Sequence, residues 1–320
     1  MTDGLVMATE SNMDENSQRR LDGSWSYGRF YAPERPRRYL YPIDETALDG
    51  MDLFHKFFLE VKLGALFGSP LELGGTQPLR IIDLGTGTGI WAFDVSEVAE
   101  KTDSPVEITA VDMNMIQPSR IPSDVTVLRL DIEHPSWAPL QRDCNLIHMR
   151  QLNGSVRPIH WLAIYRNALQ HLKPGGFIEH AEMDWATRWA GPAPKDSALE
   201  KWSQAFRRGM FTLGRNVDVD GLQVRTTLAS AGFSGIRETT TRCFLSTHFS
   251  SPKIKVEKWF NAALRRNLHG MSLVPLIEGL GYTQEEVDKL CDQVKEEIVH
   301  CKTSVHFVLF TWTAYKPHAA

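Results

Sequence analysis

Three aspartates and three glycines carry the densest chemical signal in this 320-residue chain. Asp83 closes the run Leu79-Arg-Ile-Ile-Asp83, and Gly85-Thr86-Gly87-Thr88-Gly89 follows one residue later. The glycines let the backbone turn sharply and let a ligand approach the main chain. A carboxylate placed before them would repel a pyrophosphate resting on the next helix N-terminus, and would attract a cation. Ile90 stands where a dinucleotide fingerprint has its third glycine, and no Gly-Lys-Ser/Thr ending follows, which excludes a phosphate-cradling loop. A nucleoside with an ammonium group, a sulfonium and no phosphate meets these conditions, so the expected ligand is S-adenosylmethionine rather than NAD or ATP.

Asp112 ends the next apolar run, 23 residues beyond Gly89, where a doubly wound nucleoside site places an acid against the ribose hydroxyls. Asp131 and Ile132 end a third run; the acid would accept from an adenine amine and the aliphatic side chain would cover a ring face. His148, at the end of a fourth run, and His180, in a fifth, are the candidate general bases. Glu182 and Asp184 stand near His180 as orienting groups or alternative bases. A base is needed only if the methyl acceptor must lose a proton as it reacts. His300, Cys301 and His306 fall on mixed faces across a helix–strand boundary, so no metal is expected.

The elements that must position these residues follow from apolar spacing. Strands are expected at 79–84, 106–112, 124–131, 144–150, 177–184, 236–249 and 303–315, with helices between them. The result is an α/β fold: a seven-stranded, doubly wound, Rossmann-like sheet. An N-terminal helix over 46–67 precedes it, and a helical insertion at about 253–300, its second helix started by a capping box from Thr283 to Glu286, precedes the last strand. Residues 1–22 are expected to be disordered, 23–75 to form an arm and helix, and 76–317 to form the main domain. Trp202, Phe206 and Met210 recur at fourfold spacing and read as core.

A net charge of -4 gives no general pull toward nucleic acid or anionic membrane. The turn Gln151-Leu-Asn-Gly-Ser155 lacks the Asn/Asp-Pro-Pro-aromatic sequence of base-amino methylases, again against a nucleic-acid acceptor. No apolar run is long enough to span a bilayer, and the polar N-terminus has no secretory segment. The four cysteines show no CxxC spacing and read as free thiols. Arg35, Arg37 and Arg38 form a short basic patch that could serve nuclear import. The expected location is cytoplasmic, nuclear or both.

These residues together resemble the class I S-adenosylmethionine-dependent methyltransferases, and more narrowly the LaeA-type methyltransferases of filamentous fungi. Beyond the glycine segment the resemblance rests on Tyr39-Leu-Tyr-Pro-Ile-Asp-Glu45, Asp52-Leu-Phe-His-Lys56, Val111-Asp-Met-Asn-Met-Ile-Gln-Pro118, Leu172-Lys-Pro-Gly-Gly176 and Glu257-Lys-Trp-Phe-Asn261. Thr86 replaces the family's common cysteine, a change that should spare cofactor binding. The resemblance implies a cofactor set of Asp83, Gly85, Thr86, Gly87, Gly89, Asp112, Met113, Asp131, Ile132 and His148. It implies a methyl acceptor that is a small molecule or a protein, and a link to fungal secondary metabolism. It also leaves open a regulatory role as a partner of velvet-type nuclear proteins, with little activity of its own.

Overall fold

The structure, a computed structural model, describes residues 22–33, 39–245 apart from positions 72, 74 and 76, then 254–300 and 304–318. The expected disorder at 1–22 falls almost wholly outside the described residues, as do Arg35, Arg37, Arg38 and Cys301.

A small hairpin, β1 (Ser24–Ser26) and β2 (Arg29–Tyr31), leads to α1 (Glu45–Val61). Asp44 starts that helix by accepting the Ala47 amide and holds the hairpin through a two-pronged pair with Arg29 at 2.6 and 2.7 Å. The sheet is then laid down by β3 (Leu79–Leu84), β4 (Val106–Asp112), β5 (Val125–Arg129), β6 (Cys144–Arg150), β7 (Leu172–Trp189), β8 (Ser234–Phe244) and β9 (Val305–Tyr315). Their order across the sheet is β5-β4-β3-β6-β7-β9-β8. The first five are parallel, and β9 runs antiparallel between β7 and β8. The chain therefore reverses direction across the sheet at β3, where strands on either side lead away from one crevice.

The helices are α2 (Ile90–Lys101), α3 (Trp161–His171), α4 (Ala198–Thr212), α5 (Gly221–Ala231), α6 (Ile254–Leu280) and α7 (Gln284–His300). Strands β3 and β6 are buried and largely apolar on both faces because α2 covers one face and α3 with α5 the other. Past the end of the sheet, α1, α4, α6 and α7 bury an aromatic cluster. There Trp202 stacks on Phe206 at 5.4 Å and both are fully buried, as their spacing suggested.

The expected seven strands and the late helical insertion are present. Boundaries differ for local reasons. Helix α1 stops at Val61 rather than continuing to residue 67, because Leu63 and Gly64 both take left-handed backbone. The apolar residues beyond them still pack inward as irregular chain: the Leu66 carbonyl accepts the Trp91 indole N–H at 2.8 Å. Strand β7 is longer than expected, since it keeps pairing with β9 across an irregularity between Asp184 and Arg188. Residues 246–249 of the expected sixth strand lie outside the described residues.

Candidate cofactor and active site

The floor of the site is the turn between β3 and α2. Gly85, Gly87 and Gly89 all have positive φ (71°, 58° and 84°), a region that side chains disfavour. A Cβ on Gly85 would sit 2.4 Å from a Leu152 methyl and would also be strained at its positive φ. The Gly85 and Thr86 amides donate to the Val111 carbonyl at 2.8 and 2.9 Å, fixing the turn to β4. Asp112, at the end of β4, accepts the Gly87 amide on Oδ2 and the Asn114 amide on Oδ1, each at 2.9 Å. Burial raises its pKa and those amides oppose the rise. Gln117 donates to the Gly87 carbonyl at 2.6 Å and to the Asn114 carbonyl at 3.3 Å, which explains the Ile116-Gln-Pro118 motif. The Thr88 hydroxyl donates to Asp52 at 2.7 Å, tying α1 to the same loop.

Above this floor opens a cleft of about 1640 Å³, its mouth included. One end is lined by Met113, Asp131 and Ile132. Asp131 accepts the Glu133 amide at 2.9 Å, and Arg129 holds the Met113 carbonyl at 3.1 Å. The lining is otherwise largely aromatic and apolar, with Tyr39, Tyr41, Met51, Phe54, Trp185 and Met271. Burial pushes the phenol pKa of both tyrosines up, so each keeps its proton. One wall is the Gln151–Ser155 loop, which Glu182 holds by accepting the Leu152 and Asn153 amides at 2.6 and 3.1 Å.

Of the residues expected from sequence, Gly85, Thr86, Gly87, Asp112, Met113, Asp131 and Ile132 come together on this cleft. Gly89 serves from behind as the residue capping α2, against the Phe93 ring. Three expectations need correction. Asp83 lies beneath the loop, 2% exposed, and is not part of the cleft wall. Its Oδ1 accepts from His148 Nδ1 at 2.7 Å.

His148 itself is stacked flat on Trp91, 3.7 Å between ring centres, and faces a small side cavity rather than the cleft. Burial pushes its pKa down to about 4, which weakens it as a base, and it does not line the cleft where an acceptor would bind. His180 is 1% exposed, wedged against Trp161 and Trp312. With the Tyr165 hydroxyl donating to Nδ1 at 2.8 Å, His180 Nε2–H donates to Glu182 at 2.9 Å. It steadies the carboxylate that holds the loop. Strand alternation had put both histidines on definite faces; only the covering helices decide that those faces are closed.

Sequence reasoning gave no site role to Arg150 at the end of β6 or to Gln117. A cation at a strand end beside the crevice was the available signal for the first.

The residues fit a nucleoside cofactor. Of the buried polar atoms without a hydrogen-bond partner among the described residues, two belong to the glycine segment: Thr86 Oγ1 on the cleft and Asp83 Oδ2 beneath it. A Cβ on Gly85, Gly87 or Gly89 would press on Leu152, Met51 or Phe93, so the loop presents bare backbone to the cleft. Among the described residues no group of three His, Cys, Asp or Glu could hold a metal ion.

A seven-stranded sheet with its last strand reversed, and a glycine turn and acidic strand end at the switch point, define the methyltransferase class. In agreement, a family profile described as "Methyltransferase domain" matches residues 53–235, more than half of the chain. The "Secondary metabolism regulator LAE1" of Hypocrea atroviridis is 41% identical over 98% of this chain and 89% of its own. The "Secondary metabolism regulator laeA" of Fusarium oxysporum f. sp. lycopersici is 41% identical over 98% of both. That of Aspergillus fumigatus is 29% identical over 91% of this chain and 76% of its own. Among solved structures, Haemonchus contortus phosphoethanolamine N-methyltransferase 2 is similar over 90% of this chain and 62% of that one, with a TM-score of 0.49 and 15% identity. The chain belongs to the LaeA family of S-adenosylmethionine-dependent methyltransferases, the family of fungal secondary metabolism regulators.

Proposed function

We propose that the cleft binds S-adenosylmethionine with its ribose hydroxyls on Asp112 and its adenine beside Asp131, Ile132 and Met113. The acceptor, a small metabolite or a protein side chain, enters past the aromatic lining that includes Tyr41 and Trp185. When bound, the cofactor supplies an electrophilic methyl group on a sulfonium. The chain's own work is to position and to exclude water. Asp112 is the observation that carries this reading. Each of its oxygens is engaged by one backbone amide, which leaves lone pairs for two hydroxyl donors from the cleft it lines.

Asp83 acts through the loop by its field, without contact. No described histidine lines the cleft, so the chain brings an acceptor close and in line rather than deprotonating it through imidazole. Glu182 and His180 hold the wall that confines it.

The test is calorimetric titration of the purified chain with S-adenosylhomocysteine, followed by labelled S-adenosylmethionine in an extract of the producing fungus. One site per chain is expected. Asp112→Ala should weaken binding by roughly 1–3 kcal/mol, the range for hydrogen bonds to a charged group. Wild-type affinity in that variant would remove the ribose assignment, and tighter binding of NADH would remove the donor class.

The relatives' designation as regulators favours a second reading, a role within a velvet-type nuclear complex. Label entering no metabolite or protein, together with stable capture of such a partner, would select it.

A further inference from the structure

The motif Asp52-Leu-Phe-His-Lys56 gains a role once Arg150 is considered. Asp83, His148 and Arg150 alternate onto one face of β3 and β6, the face covered by α1 and α2, with Asp83 directly across from His148. Arg150, at the end of β6, lines the cleft as well as the side cavity. Its guanidinium carbon lies 4.6 Å over the Phe58 ring, and Nη2 donates to His55 Nδ1 at 3.2 Å. His55 is 2% exposed and its Nε2–H donates to Asp94 at 2.8 Å, which fixes Nδ1 as the acceptor. No described carboxylate pairs directly with Arg150, although Asp83 and Asp94 act on it from a distance. It is therefore a cation whose direct contacts are neutral, at the edge of an open cleft, and which can take an anion from outside.

The order of strand ends says which anion. Asp131 follows β5, Asp112 ends β4, the glycine loop follows β3, and Arg150 ends β6, so the four line up across neighbouring strands. With strands ~4.8 Å apart, the end of β6 lies roughly 10 Å from that of β4, on the side away from the adenine end.

We propose that Arg150, aimed by His55, binds the α-carboxylate of the cofactor's amino-acid end. This deepens the donor reading above and rests on it. Arg150 is the contact and His55 the positioning residue; Asp94 sets the His55 tautomer.

Paired titrations separate this role from a structural one. S-adenosylhomocysteine has the carboxylate and 5′-methylthioadenosine does not. Arg150→Leu is expected to weaken S-adenosylhomocysteine by about tenfold or more, the effect of losing one charge-assisted pair, with 5′-methylthioadenosine unchanged. Arg150→Lys should recover part of that affinity. His55→Phe should show the same selective loss in smaller degree. Thermal unfolding of each variant reports folding, and Arg150→Lys serves if the leucine variant is unstable. Equal losses for both ligands, or no loss for either, would overturn the assignment of Arg150. Failure of the wild-type chain to bind either ligand would overturn the donor reading itself.

Discussion

Gly87 and Asp112 work as a pair: the loop amide satisfies the carboxylate, and the carboxylate holds the loop in a left-handed turn. Gly87→Val puts a β-branched residue at φ 58° and brings its Cβ within 3.3 Å of Met51 Sδ. Strain of roughly 1–3 kcal/mol is expected at such a position. It should appear as lost S-adenosylhomocysteine affinity in calorimetry, with the far-UV dichroism of the fold retained.

His148 gives a pH prediction. Burial depresses its folded pKa to about 4, below an ordinary value of about 6.5 for the unfolded chain. Between these values the unfolded chain binds a proton that the folded chain refuses. The contribution of the buried neutral ring is therefore complete above about pH 6.5 and falls as the pH drops toward 4. Urea midpoints should drop more between pH 7 and 5 for the wild type than for His148→Gln; equal drops would contradict this. The aspartates and glycines of the site were legible in the sequence because backbone conformation and strand-end position are local properties. The histidines were not, because whether a face is open depends on Trp91, Trp161 and Trp312 arriving from elsewhere.

Helices α4 and α6 cross at glycine. A Cβ on Gly209 would lie 2.2 Å from the Pro275 carbonyl oxygen, and one on Gly279 would lie 2.7 Å from that of Gly209. Pro275 sits inside α6, whose ladder is already one donor short there. Gly209→Val should cost about 1–3 kcal/mol by overpacking, read as a lower urea midpoint. Gly50 makes the matching approach between α1 and α6, against the Asn267 side chain. Periodicity showed that these helices exist and that the second lies in an insertion before the last strand. It held no sign that α1 and α6 meet, since that contact joins segments about two hundred residues apart.

At the level of the whole molecule, the cleft lies between the carboxyl edge of the sheet and a cover built from segments on either side of the matched methyltransferase region. Residues 39–54 come from before or at its start and residues 266–271 from after its end. A ligand bridging floor and cover stabilises the folded chain in proportion to its affinity. At a hundredfold excess over its dissociation constant, S-adenosylhomocysteine should add about 2.7 kcal/mol, seen as a raised unfolding midpoint. No described helix is long and apolar enough to cross a membrane.

The reversed strand β9 follows every other described element in the chain and fills the gap between β7 and β8. On the ribosome, β8 has no neighbour to hydrogen-bond until β9 has left the exit tunnel. The sheet therefore closes only once residues 305–315 have been made, and a message truncated before residue 305 would leave β7 and β8 each with an open edge.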